Sequence, residues 1–95
     1  MEVNFDGCRI VTEQDFHHHL AMALGVQKFY GYNLDALWDL LSANVERPLV
    51  LRWNDHEASR RSMGCDFDRV VQVLERVRLQ DECFGWVEKF SYILD

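Results

Sequence analysis

Pro48-Leu49-Val50-Leu51-Arg52-Trp53 is the stretch on which the fold turns. It is short, largely apolar and opened by the chain's single proline, which reads as a buried strand. Upstream, Val3 and Phe5 alternate with polar neighbours and run into the turn pair Asp6-Gly7, giving a first short strand. Downstream, Phe90-Ser91-Tyr92-Ile93-Leu94 reads as a last one. Helical patterns fill the gaps. Thr12 is placed to cap a helix over about residues 13–24, with Phe16, Leu20, Ala23 and Leu24 on one face and Gly25 as its stop. Asn33 is placed to cap a second over about 34–43. Asn54 or Asp55 starts a short polar helix through Arg61, and Asp66 caps a stronger one carrying Phe67, Val70, Val71, Leu74 and Val77. Strands separated by helices pair in parallel through right-handed crossovers, so a small α/β layer structure is predicted. Residues 79–89 show no clear period; Phe84, Trp86 and Val87 form an extra turn at most.

The 95 residues make one domain, 1–95, and 48% apolar residues suffice for a core. No apolar run approaches the roughly 20 residues that cross a bilayer. The start, Met1-Glu2-Val3-Asn4-Phe5-Asp6, has neither a basic nor an apolar leader, so a cytoplasmic location is expected. A net charge of −6 repels nucleic acid and anionic lipid and favours basic partners. Cys8, Cys65 and Cys83 cannot all pair and show no CxxC spacing. They read as free thiols in a reducing compartment, each a small buried hydrophobe.

Residues 29–46, Phe-Tyr-Gly-Tyr-Asn-Leu-Asp-Ala-Leu-Trp-Asp-Leu-Leu-Ser-Ala-Asn-Val-Glu, hold three acids and no Lys or Arg. At about 100° per residue, Leu34, Leu37, Trp38, Leu40 and Leu41 share one sector of the second helix. Asp35, Asp39 and Ser42 point the other way, with Ala36 and Ala43 alongside. Asp35 in the first turn meets the helix dipole favourably. Asp39 is locally unfavourable: it stands mid-helix, four residues from another carboxylate, with no basic residue three or four away. Such a choice on an exposed face points to function. Phe29, Tyr30 and Tyr32, with flexible Gly31 and the small alanines, form a smooth rim around it, the makeup of an interface for a cationic partner.

The same stretch resembles the barstar family, small inhibitors of barnase-type ribonucleases. The resemblance rests on Phe29-Tyr30-Gly31, Asn33-Leu34-Asp35-Ala36-Leu37-Trp38-Asp39, Pro48-Leu49-Val50-Leu51 and Trp53. It implies a two-layer fold, a three-stranded parallel sheet in order 1-2-3 with about four helices, no catalysis, no metal and no cofactor. It further implies a free monomer that binds a basic extracellular or toxin-type ribonuclease 1:1, as an antitoxin or immunity protein. The residues it assigns to that contact are Phe29, Tyr30, Gly31, Asn33, Leu34, Asp35, Ala36, Trp38, Asp39, Ser42, Ala43, Asn44 and Glu46. In this family the carboxylate matching Asp39 enters the pocket meant for substrate phosphate, and the one matching Asp35 meets further basic groups. The chain departs from the family's best-known member in four places. Phe29 stands for a tyrosine, Tyr32 for an acid and Asn44 for a rim tryptophan, and the connection from Arg78 to Phe90 is longer. Around the fourth helix, Glu75 and Arg76 leave open which carboxylate reproduces the family's outlying acidic contact.

Two other readings are a barstar-like adaptor that binds a basic domain without inhibiting a nuclease, and a metal-dependent hydrolase. His17-His18-His19 argues little for the second, because consecutive helical residues diverge and cannot close one tetrahedral site. A partly packed His17 with exposed neighbours is the simpler expectation. Asp35 and Asp39 have no nucleophile or histidine nearby in sequence to complete an acid–base pair. Arg60-Arg61 is too short for a nucleic-acid patch. Trp38 and Trp53 are expected in the core, with the edge of Trp38 within reach of the interface.

Overall fold

The computed structural model describes residues 1–95. Along the chain come β1 (Glu2–Asp6), α1 (Glu13–Leu24), α2 (Leu34–Ala43), β2 (Leu49–Asn54), α3 (His56–Met63), α4 (Cys65–Phe84) and β3 (Phe90–Leu94). The strands form one parallel sheet in the order β1-β2-β3, so the expected α/β topology with four helices is what the chain adopts.

β2 lies in the middle, with Phe5 opposite Trp53 on one side and Phe90 opposite Leu49 on the other. Its Leu49, Leu51 and Trp53 are buried, whereas Val50, Arg52 and Asn54 are only half-covered. Side chains of a strand alternate between faces, so one face of the sheet holds the core and the other is partly wet. The apolar run is therefore a buried strand on its inner face alone. On the outer face Arg52 reaches across both neighbours, to Asp95 at 2.5 Å and to Glu2 at 3.8 Å.

Aromatic packing sets the centre of the core. Phe16 of α1 stacks on Trp53 with ring centroids 5.1 Å apart, and Phe5 meets both edge-on. The Trp53 indole N–H donates to Ser59 Oγ at 3.0 Å, and the Ser59 hydroxyl donates to the Gly7 carbonyl at 2.8 Å. This buried polar chain ties α3 to the turn after β1, and no buried side-chain polar atom is left without a partner. Gly7 cannot be larger, because a Cβ there would collide with the backbone of Asp55.

Helix ends show where local signals were sufficient. Thr12 and Asp15 form a reciprocal capping box at α1, and Gly25 ends it in the left-handed conformation at φ 69°. The Asn33 side chain accepts the Ala36 N–H at 2.8 Å and opens α2. The two later helices depart from expectation. Asp55 precedes α3 but makes no side-chain capping bond, and that helix runs to Met63, past Arg61. Asp66 is not a cap: α4 begins one residue earlier, at Cys65 behind Gly64, and Asp66 in its first turn pairs with Arg69 at 3.0 Å.

α4 also continues through most of the stretch that showed no period, ending at Phe84 with Gly85 at φ 68°. Its last turns are anchored by Asp81, which is fully buried. One Asp81 oxygen accepts from Arg47 Nε at 2.8 Å and from the Phe90 N–H at 2.7 Å; the other accepts from Arg47 Nη2 at 3.1 Å. Phe84 closes the helix and Trp86 follows it in an irregular link, so no separate turn forms there. Three further expectations are corrected. Cys8, Cys65 and Cys83 are all exposed, each sitting at a turn or a helix end and not on a core face. His17 is wholly buried, where partial packing was expected. Trp53 is in the core, but Trp38 is only half-buried and packs against its edge.

Candidate protein-binding face

The rotation of α2 is fixed by its apolar side: Leu37, Leu40 and Leu41 are buried, and Leu34 and Trp38 pack against the core's margin. Asp35 and Asp39, four residues apart, are consequently both exposed on one helix face. Neither carboxylate joins an ion pair or accepts a side-chain hydrogen bond. Six of the eight arginines do engage carboxylates elsewhere, so the isolation of these two acids is local.

A hollow of about 500 Å³ opens beside Asp39, lined by Phe29, Tyr30, Gly31, Ala36, Asp39, Leu40 and Asn44. Small residues make the room. A Cβ added to Gly31 would lie 3.0 Å from the Ala36 methyl, which would have to give way. Phe29 is 72% exposed and stands as a free apolar wall. Asn44 closes the far end, its amide donating to the Asp39 backbone carbonyl at 3.0 Å.

Tyr30 differs from its neighbours in being buried. Its hydroxyl lies 2.6 Å from His17 Nδ1, and His17 Nε2 lies 2.8 Å from the Glu13 carboxylate. With Glu13 accepting from Nε2–H, Nδ1 is the acceptor and the Tyr30 O–H the donor. Tyr30 therefore offers the hollow its ring, while its hydroxyl is held from behind. Burial, joined by the Glu13 charge, pushes the Tyr30 phenol up. Burial likewise holds His17 below its ordinary 6.5, outweighing the bond to Glu13 that pulls the other way. As pH falls through 6.5 the unfolded chain takes up this proton first, so the stability His17 contributes is complete above that pH and is lost below it. The urea midpoint should therefore drop between about pH 7 and 5.5, and His17→Gln, neutral throughout, should flatten that drop. A midpoint with the same pH slope in both proteins would refute the neutral buried imidazole.

The chain reaches α2 through backbone strain. Tyr32 sits at φ 56°, a left-handed conformation that costs a residue with a side chain about 1–2 kcal/mol. Its carbonyl accepts from Gln14 at 3.2 Å, and its ring lies against His18, with centroids 4.8 Å apart, and against Tyr30. The three histidines diverge: His17 inward, His18 onto Tyr32, His19 towards Phe5.

Across the helix a second groove of about 350 Å³ is lined by Leu34, Asp35, Trp38 and the α4 residues Arg69, Gln72, Val73 and Arg76. The anticipated contact residues thus divide. Phe29, Tyr30, Gly31, Ala36, Asp39 and Asn44 share the first hollow, and Leu34, Asp35 and Trp38 share the groove. Asn33 spends its side chain on the cap. Ser42 and Ala43 lie beyond both hollows, and Glu46 belongs to a separate depression near Met1. Sequence reasoning missed three contributors. Glu13 and His17 were signalled by their spacing of four on α1, while the approach of Arg76 to Trp38 had no local signal.

Fold and matched sequence together define the class: the family described as Barstar (barnase inhibitor) matches residues 1–88. The chain belongs to the barstar family. It is 34% identical over 83 residues to the Bacillus subtilis (strain 168) protein named "Putative ribonuclease inhibitor YrdF", a match covering 85% of this chain and 91% of that protein.

Proposed function

We propose that this protein is a reversible 1:1 inhibitor of a barnase-type ribonuclease, working in the cytoplasm as an immunity partner and performing no catalysis itself. The observation that carries this reading is the pair of unpaired carboxylates on a helix clamped to the core, one of them beside an open hollow. Carboxylates held on a stiff frame carry the charge of RNA phosphates, and a basic nuclease cleft supplies what they lack. Family membership and the relative named as a ribonuclease inhibitor support the same reading. The imidazole behind Tyr30 is buried and held between the Tyr30 hydroxyl and Glu13, so it offers the hollow no free base.

The test is titration of purified barnase-type ribonucleases, barnase included, with the chain during RNA cleavage. Cleavage by at least one enzyme should fall linearly to zero at one equivalent. Raising salt from about 0.05 to about 0.5 M should slow association far more than it hastens dissociation, since the acidic face steers encounter before contact. Full cleavage by every enzyme at excess inhibitor would overturn the reading.

A further inference from the structure

The partner-facing surface is not uniformly acidic. Arg76 projects from α4 beside Asp35 and Trp38 in the second groove. Its guanidinium carbon lies 4.5 Å above the centroid of the Trp38 ring. Of the eight arginines, only Arg61 and Arg76 lack a carboxylate partner. Arg61 has no aromatic platform, whereas Arg76 has one. Helical neighbours cannot satisfy it, because positions three and four away are Gln72, Val73, Leu79 and Gln80. The adjacent acid, Glu75, is already committed: it accepts from Arg78 at 2.5 and 2.8 Å and from the Tyr92 hydroxyl at 2.9 Å. Those bonds to Arg78 and Tyr92 hold its carboxyl down at about 2, so it stays ionised, and Glu75 is not among the residues that line the groove.

A guanidinium held over an aromatic face keeps N–H groups free for a partner, and a guanidinium can grip a carboxylate through two parallel bonds. We infer that Arg76 is a specificity-determining residue: it selects a ribonuclease whose active-site rim carries a carboxylate opposite the α2–α4 groove, and it disfavours one whose rim is basic there. The inference rests on the inhibitor reading and sharpens it. Asp39 and Asp35 recognise the positive cleft, and Arg76 reads one negative residue at its border. A phosphate of RNA is a poor candidate for the same place, because the flanking Asp35 and the net charge of −6 repel a polyanion. Discrimination of this kind works as much by rejecting the wrong partner as by holding the right one.

The test uses barnase and a set of barnase variants in which each lysine or arginine around the active-site rim is replaced, singly, by glutamate. The unaltered chain, Arg76→Gln, Arg76→Glu and Asp39→Ala are measured against each enzyme. Arg76 is exposed on a helix surface, so its replacements should fold normally, which circular dichroism checks. On unmodified barnase Arg76→Glu should bind about tenfold more tightly than the unaltered chain, with Arg76→Gln between them. On at least one rim-glutamate enzyme the order should reverse, shifting the affinity ratio by tenfold or more. A ratio constant within threefold across the whole set overturns the role of Arg76 even if Asp39→Ala abolishes binding throughout. Undiminished binding by Asp39→Ala defeats the inhibitor reading instead, and absence of binding by every chain to every enzyme defeats both.

Discussion

Asp39→Ala is expected to weaken binding to the inhibited ribonuclease by about 30- to 5,000-fold while leaving the free protein folded and slightly more stable. Removing one member of a desolvated charge pair strands its partner and costs about 2–5 kcal/mol, with a tenfold change for every 1.4. That range is already informed by complexes of this family. In the free protein the same side chain supports nothing, since no cation or donor engages it. Alanine is the better helix former, and its presence relieves the repulsion from Asp35 four residues before, so stability should rise by about 0.5–1 kcal/mol. Opposite signs in calorimetric binding and thermal unfolding are the signature of a side chain kept for a partner. Unaltered inhibition by Asp39→Ala, or a fall in its melting temperature, would contradict the assignment. Asp35→Ala should lose less, because Asp35 stands outside the hollow that Asp39 borders.

The largest loss of stability is expected from Asp81→Ala, at about 3–5 kcal/mol, a large part of the 5–15 kcal/mol typical of small domains. Burial by itself would raise the Asp81 carboxyl, but the bonds from Arg47 and the Phe90 N–H outweigh it and hold the group below its ordinary 3.8. The stability this aspartate supplies is therefore present above pH 3.8 and disappears as the pH falls through its lower folded value. Alanine would leave a mostly covered guanidinium with only the Val45 carbonyl as acceptor, and the Phe90 N–H with none. Melting should fall by more than about 10 °C. Replacing both partners by apolar residues, Arg47→Met with Asp81→Leu, should cost less than the single change, because no buried charge is left alone. A double variant at least as unstable as Asp81→Ala would show that packing, not charge, governs this corner.

These two aspartates also mark the range of what the sequence discloses. Asp39 is conspicuous because everything that explains it, or fails to, lies within one helical turn: another acid four residues before, no base, and apolar residues that turn it outward. Asp81 carries no such mark, since its partner is 34 residues upstream and only the folded chain brings them together. The strands, α1 and α2 were legible because alternation, a capping threonine, a capping asparagine and Gly25 act locally. The start of α4 was displaced because Gly64 begins the helix without a side-chain cap, so the better-looking Asp66 drew the boundary inward. In the site, acids and small residues were readable, but the burial of Tyr30 against His17 and the stacking of Arg76 on Trp38 depend on how α1, α2 and α4 pack.

The bond from Asp81 to the Phe90 N–H pins the two ends of a detour, Glu82 to Lys89, whose residues are all exposed and line none of the three depressions. With its base stapled, the detour is a natural splice point. A reporter peptide or affinity tag inserted beside Val87, which is 98% exposed, would hang from a fixed stem and spare α2. It would give a handle for immobilising the protein with α2 free.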